Sequence, residues 1–166
     1  PILRICELEH IDPKRVAIIG ARGPRNLPEW TPLYRELGIS VFAVEQVERE
    51  GIEAVTQKAL DIATQGGAQH YISVDIDSID PAFAPATNSP EPGGLTSREI
   101  ICGVRIAGQN GFAGFDVVEV SPDFEDKSGS TSILAARIMA EALACLAASR
   151  SGRKDAWRTA HESTAP

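Results

Sequence analysis

A chain of 166 residues with 43% hydrophobic content is long enough for one ordinary domain with a sizeable core, and short for two. Its 16 Lys and Arg against 23 Asp and Glu give a formal net charge of -7, which offers no general attraction for nucleic acid or anionic membranes and favours small-molecule or metal partners. Cys6, Cys102 and Cys145 are widely spaced in apolar stretches and imply neither a disulfide framework nor a thiolate zinc site. No run approaches the roughly 18 consecutive apolar residues of a membrane span and no charged-then-apolar leader opens the chain. The expectation is a soluble cytoplasmic protein with no nucleic-acid and no membrane partner.

In chain order, β-branched-rich runs at residues 16–20, 39–44, 71–77 and 115–120 read as strands. Helical spacing predicts helices over 29–37, 52–65, 96–107 and 132–148. Thr96 and Glu99 fit a capping box, in which the threonine hydroxyl caps a backbone N–H and the glutamate reaches back. Strands alternating with helices imply parallel β-α units, so the fold class is α/β, a parallel sheet flanked by helices. In such sheets ligands bind beyond the carboxyl ends of the strands. Residues 149–166 lack periodicity and are expected to form a peripheral or disordered tail, with Trp157 as its only large apolar anchor.

The third strand ends in acids: Asp75, Asp77 and Asp80 precede a long Pro/Gly loop. Alternation along a strand puts Asp75 and Asp77 on one face and Ile76 on the other. Two like charges so placed repel unless a cation, a shared proton or water relieves them. A hard divalent ion with oxygen ligands is one solution, and a solvated strand end whose aspartates cap loop N–H groups is another. Spacing alone leaves both open.

The segment Ser73-Val74-Asp75-Ile76-Asp77-Ser78-Ile79-Asp80-Pro81 resembles the signature of the arginase/agmatinase (ureohydrolase) family. The resemblance continues through Pro85-Ala86-Thr87-Asn88-Ser89-Pro90, Gly93-Gly94-Leu95 and Arg98-Glu99. It extends upstream to Ile19-Gly20-Ala21-Arg22-Gly23-Pro24 and downstream to Asp116-Val117-Val118-Glu119-Val120-Ser121-Pro122. It runs in order over residues 1–148, leans toward the agmatinase branch, and implies the C-terminal part of a three-layer arginase-like domain. It also implies a binuclear manganese hydrolase that attacks the carbon of a guanidino group, giving urea and an amine, with metal-activated water as nucleophile. Carried over to matching positions, Asp75 would bridge the metals, Asp77 would bind one of them, and Glu119 would pair with the substrate guanidinium. Ser89 stands where the family usually has a threonine and keeps the hydroxyl in a supporting role, while Asn88 replaces the usual glycine. Nickel or another divalent ion could take the place of manganese.

Bland readings stand beside these. Glu119 could pair with a basic side chain, and Ser89 could be an ordinary turn hydroxyl. His10, His70 and His161 match no metal histidine of the family and read as structural, and the loop at 19–24 reads as a turn rather than a phosphate cradle. The family's remaining ligands come from a Gly-Gly-Asp-His and an Asp-Ala-His-x-Asp motif, and neither occurs in these 166 residues. Two metals need about four to six ligands each, so the chain is expected to be roughly the C-terminal half of a ureohydrolase. Its partner would be the complementary N-terminal half or an intact homologue, in a trimeric or hexameric whole. The alternative is a catalytically silent fragment or subunit with an assembly role.

Overall fold

The computed structural model describes residues 2–24 and 30–152. Glu29, Trp157 and His161, which carried expectations above, lie outside the described residues. A short helix α1 (Ile2–Ile5) leads to strand β1 (Ala17–Ala21), helix α2 (Trp30–Leu37) and strand β2 (Ser40–Ala43). Helices α3 (Val44–Glu50) and α4 (Ile52–Ala63) follow, then strand β3 (Tyr71–Asp75), helix α5 (Ser97–Gly108), strand β4 (Gly114–Val118) and helix α6 (Ser130–Arg150). All four expected strands and all four expected helices are present. The second strand stops at Ala43, and Val44, expected to end it, instead begins α3, where Val44 and Val47 turn into the core.

Both strand pairs are parallel. β1 pairs with β2, with Ala17 opposite Ser40 and Ile19 opposite Phe42, and β3 pairs with β4, with Tyr71 opposite Gly114, Ser73 opposite Asp116 and Asp75 opposite Val118. The two pairs are separate two-stranded sheets that meet through residues 76–80 and 91–95. There Ile79 bridges to Leu95, and Leu95 lies against Gly20, whose φ of 87° no side chain adopts readily.

Each pair has its own core. Val74, Ile76, Ile79, Val104, Leu134 and Ile138 pack on one face of β3 and β4, with Ile72, Phe115 and Val117 against them. Phe42, Val47, Ile52, Val55, Ala59 and Leu95 form the other, and Ile100 of α5 touches both. The capping box at Thr96 and Glu99 is formed in both directions, which fixes where α5 starts. Helix α6 begins at Ser130, before the expected 132, because Glu125 accepts hydrogen bonds from the N–H groups of Thr131 (3.2 Å) and Ser132 (2.7 Å). That carboxylate caps the helix in place of Gly129, which has no side chain to do so.

Helix α6 is long and apolar enough to cross a membrane by length and composition alone. Leu134, Ile138, Ala142 and Cys145 bury one side of it, and it carries a charged cluster at its middle. Arg105 of α5 grips Glu141 with two parallel hydrogen bonds of 2.8 Å, and Arg137 adds another of 2.7 Å. Glu141 is only 8% exposed, and the hydrogen bonds from Arg105 hold its carboxyl below the usual range. The opposite side of α6 leaves Ile133 and Leu143 more than 60% exposed. The outer face of β3, with Tyr71 and Ser73, is likewise open, whereas parallel sheets are ordinarily covered on both faces.

Two substitutions test this packing. Glu141→Ala strips a nearly buried carboxylate from two guanidinium groups and is expected to lower unfolding free energy by about 2–4 kcal/mol in urea denaturation. Thr56, 4% exposed, has no hydrogen-bond partner for its hydroxyl among the described residues, and it sits where Gly103 lets α4 and α5 approach. Thr56→Val is expected to raise stability by about 1 kcal/mol in the same measurement.

Candidate functional site

Strand β3 does not reach Asp77. It ends at Asp75, whose Oδ1 accepts the N–H of Asp77 at 2.9 Å and closes a 3-10 turn over Ile76–Ser78. Ser78 Oγ donates to the Asp75 carbonyl at 2.7 Å and tightens the same turn. Ile76 is fully buried, as alternation requires, but Asp77 is presented by the turn rather than by a strand face. The expectation of a strand through residue 77 is corrected accordingly: a side chain that accepts its neighbour's N–H ends the ladder early.

The Asp77 carboxylate accepts a hydrogen bond from the hydroxyl of Thr87. Thr87 is 4% exposed, and the residue before it is tied from two sides. Ala86 N–H donates to Thr131 Oγ1 at 2.9 Å, and Ser121 N–H donates to the Ala86 carbonyl at 2.9 Å. The start of α6 and the turn after β4 therefore hold the loop against the acid.

Asp80, the third acid, has a structural task. Its carboxylate accepts N–H groups from Ala82 (2.8 Å), Gly93 (2.7 Å) and Gly94 (3.2 Å), closing residues 81–94 on themselves. These bonds, Ala82 first, hold its carboxyl below the ordinary aspartate range. The guanidinium of Arg22 crosses the same junction, donating to the carbonyls of Glu91 (3.1 Å from Nε) and Ile79 (3.3 Å). The loop at 19–24 thus acts as a structural brace. A Cβ on Gly94 would lie 2.5 Å from the Asp80 nitrogen, so only glycine fits there.

Glu119 lies just past β4, exposed, with φ at 63°, the only left-handed non-glycine among the described residues. That conformation costs a residue with a Cβ about 1–2 kcal/mol, and strain of this kind clusters where a side chain must be aimed. The expected strand through 120 stops at Val118 for this reason. Glu119 stands close enough to Asp75 for its charge to matter. Lost hydration is the largest influence raising the Asp75 carboxyl above its ordinary range, though the residue keeps solvent-exposed surface; the charge of Glu119 adds to the rise, and Arg22 opposes it. Beside them on the open face, Tyr71 Oη (2.8 Å) and Ser73 Oγ (2.6 Å) both donate to Asp116.

Asp75, Asp77 and Glu119 therefore lie at or just past the carboxyl ends of two neighbouring strands. Ser89 is half-buried in the loop that follows Thr87 and makes no hydrogen bond among the described residues, and Asn88 is exposed. His70 is buried with Nε2 2.8 Å from the Ala107 carbonyl, a structural arrangement. The oxygen donors of Asp75 and Asp77 suit a hard divalent ion in kind, yet no group of three His, Cys, Asp or Glu able to hold a metal occurs among the described residues. The sequence reading missed Thr87. Its signal was a β-branched hydroxyl directly after the small residues Ala84 and Ala86, both 0% exposed, in a loop otherwise built of Pro, Asn, Ser and Gly.

The sequence pattern of the Arginase family matches residues 1–145. The chain belongs to the arginase family. It is 40% identical over 149 residues to guanidinopropionase from Pseudomonas aeruginosa, covering 90% of this chain and 46% of that protein. It is 36% identical over 136 residues to agmatinase from Chromobacterium violaceum, covering 82% of this chain and 38% of that one. Among solved structures, proclavaminate amidinohydrolase from Streptomyces clavuligerus superposes with a TM-score of 0.74 at 39% identity, over 84% of this chain and 44% of its own. The chain spans less than half the length of the relatives it matches, and it represents part of the arginase-like fold of parallel sheets flanked by helices.

Two outcomes follow from the site's local energetics. Glu119→Gly removes the left-handed strain and is expected to raise stability by about 1 kcal/mol; an unchanged or lowered melting temperature refutes the strain. Asp80 has a lowered carboxyl, so its contribution is present above the ordinary aspartate pKa and disappears as pH falls through the folded-state value. Asp80→Ala is expected to cost about 1–2 kcal/mol at neutral pH, with the gap to the unaltered chain closing in acid-denaturation curves as the pH drops below the aspartate range.

Proposed function

We propose that this chain is the C-terminal part of a binuclear manganese amidinohydrolase, which hydrolyses the guanidino group of agmatine or a related guanidino compound to urea and an amine. The observation that supports this reading is Glu119, held at positive φ just past β4 and near enough to Asp75 for its charge to be felt there. A carboxylate there makes parallel charge-assisted hydrogen bonds to a planar guanidinium. Such a pair turns the guanidinium carbon toward Asp75 and Asp77 and offsets the repulsion between Glu119 and Asp75. Asp75 and Asp77 would hold the manganese. When bound, the metal supplies activated water at neutral pH. Ser89, further along the same loop, would offer its hydroxyl in a supporting role.

The names of the relatives support guanidino chemistry in general, with guanidinopropionase, guanidinobutyrase and agmatinase all among them. The remaining ligands would come from a complementary N-terminal half or an intact homologue, seated on the open face of β3 and β4 in a cytoplasmic oligomer. A second reading, a catalytically silent subunit with an assembly role, is favoured by one observation: no three-ligand metal group exists among the described residues.

Urea release from a panel of guanidino compounds, measured on the chain joined to its complementary half and supplied with Mn2+, separates the two. Turnover is expected, with Asp77→Ala losing bound metal and at least about a hundred-fold in rate together. Turnover retained by Asp77→Ala at ordinary Mn2+ concentration sinks the ligand assignment, and a metal-free, inactive assembly leaves the silent-subunit reading.

A further inference from the structure

The geometry points to Thr87 as a positioning residue for Asp77. This rests on the reading of Asp77 as a metal ligand. A loop hydroxyl is ordinarily free to rotate into water, and this one is not. Thr87 is 4% exposed, its hydroxyl donates to Asp77, and Ala86 beside it is 0% exposed and held at both its N–H and its carbonyl. The holders come from far along the chain. Thr131 is fully buried in the first turn of α6, and Ser121 follows β4 two residues after Glu119.

Asp77 stands on a single 3-10 turn, whose backbone alone would leave its side chain several rotamers. A fixed donor on one carboxylate oxygen selects one of them. The residues around a metal ligand that set its orientation commonly govern affinity as strongly as some ligands do. Because Ser121 and Glu119 share one short segment, the tie at Ala86 also links the aim of the guanidinium-pairing acid to the aim of Asp77. Thr87 is buried beside the buried Ala86 and its hydroxyl donates to the acid, so valine keeps the branched shape and removes the donor, and serine preserves the donor.

Nuclear magnetic resonance on the whole chain tests this. Three-bond couplings about the Asp77 Cα–Cβ bond report its rotamers, and added Mn2+ chloride reports the site through paramagnetic broadening. One Asp77 rotamer is expected in the unaltered chain and in Thr87→Ser, and averaged couplings in Thr87→Val, with an apparent Mn2+ affinity about ten-fold weaker. Thr131→Val, which frees the backbone beside Thr87 while leaving its hydroxyl, is the second variant should Thr87→Val not fold, and averaging is expected there too. Couplings unchanged in the folded variants overturn the inference. Broadening in the unaltered chain that spares residues 75–77 overturns the ligand reading instead, whatever the couplings do.

Discussion

The arrangement of acids depends on a closure that involves no catalytic group. Asp80 gathers three backbone N–H groups across residues 81–94, and Asp80 N–H donates to the Leu95 carbonyl at 2.9 Å while Leu95 N–H donates to Ser78 at 2.9 Å. Without that closure a long Pro- and Gly-rich excursion would meet water with its backbone groups and take no fixed path. With it, Leu95 enters the second core, Ile79 enters the first, and the two sheets are joined at one point. Asp75 and Asp77 lie immediately before this joint, so their placement is inherited from it.

The molecule is well packed where it is covered and bare where it is not. Helix α6 is held to α5 by the Arg105 and Arg137 grip on Glu141, a charged clasp in an otherwise apolar helix, while Ile133 and Leu143 point outward. The β3–β4 face carries Tyr71, Ser73 and Asp116 in a hydrogen-bonded row open to solvent. Parallel strands with one bare face are unusual in a finished domain. The bare face is also the one from which Asp75 projects, and this agrees with a chain that matches less than half of its relatives' length.

Much of this was legible in the sequence. The four strands and helices α2, α4, α5 and α6 were readable because period-2 and period-3.6 spacing differ clearly over these lengths, whereas the short helices α1 and α3 were not expected; Thr96 and Glu99 announced a helix start that the structure reproduces. The misreadings cluster at strand ends. Val44 looked like more strand because β-branched residues also suit a buried helix turn, and Asp77 looked like strand because nothing local revealed that the Asp75 side chain would accept its N–H. Glu119 drew notice only through resemblance to a family, since no propensity argument puts a glutamate at positive φ. Thr87 escaped because its partners, Asp77, Thr131 and Ser121 through Ala86, are brought together only by the fold.

The tethering of the loop divides it into stretches with unequal freedom. Ala84, Ala86 and Thr87 are buried, with Ala86 and Thr87 tied by hydrogen bonds, and Gly93 and Gly94 are fixed by Asp80, but Asn88, Pro90 and Pro92 between them are exposed. With both ends held, substitutions in this stretch change the lip of the site at little cost to the placement of Asp75 or Asp77. Such a layout lets the sequence of the exposed stretch vary while the acids beside it keep their positions.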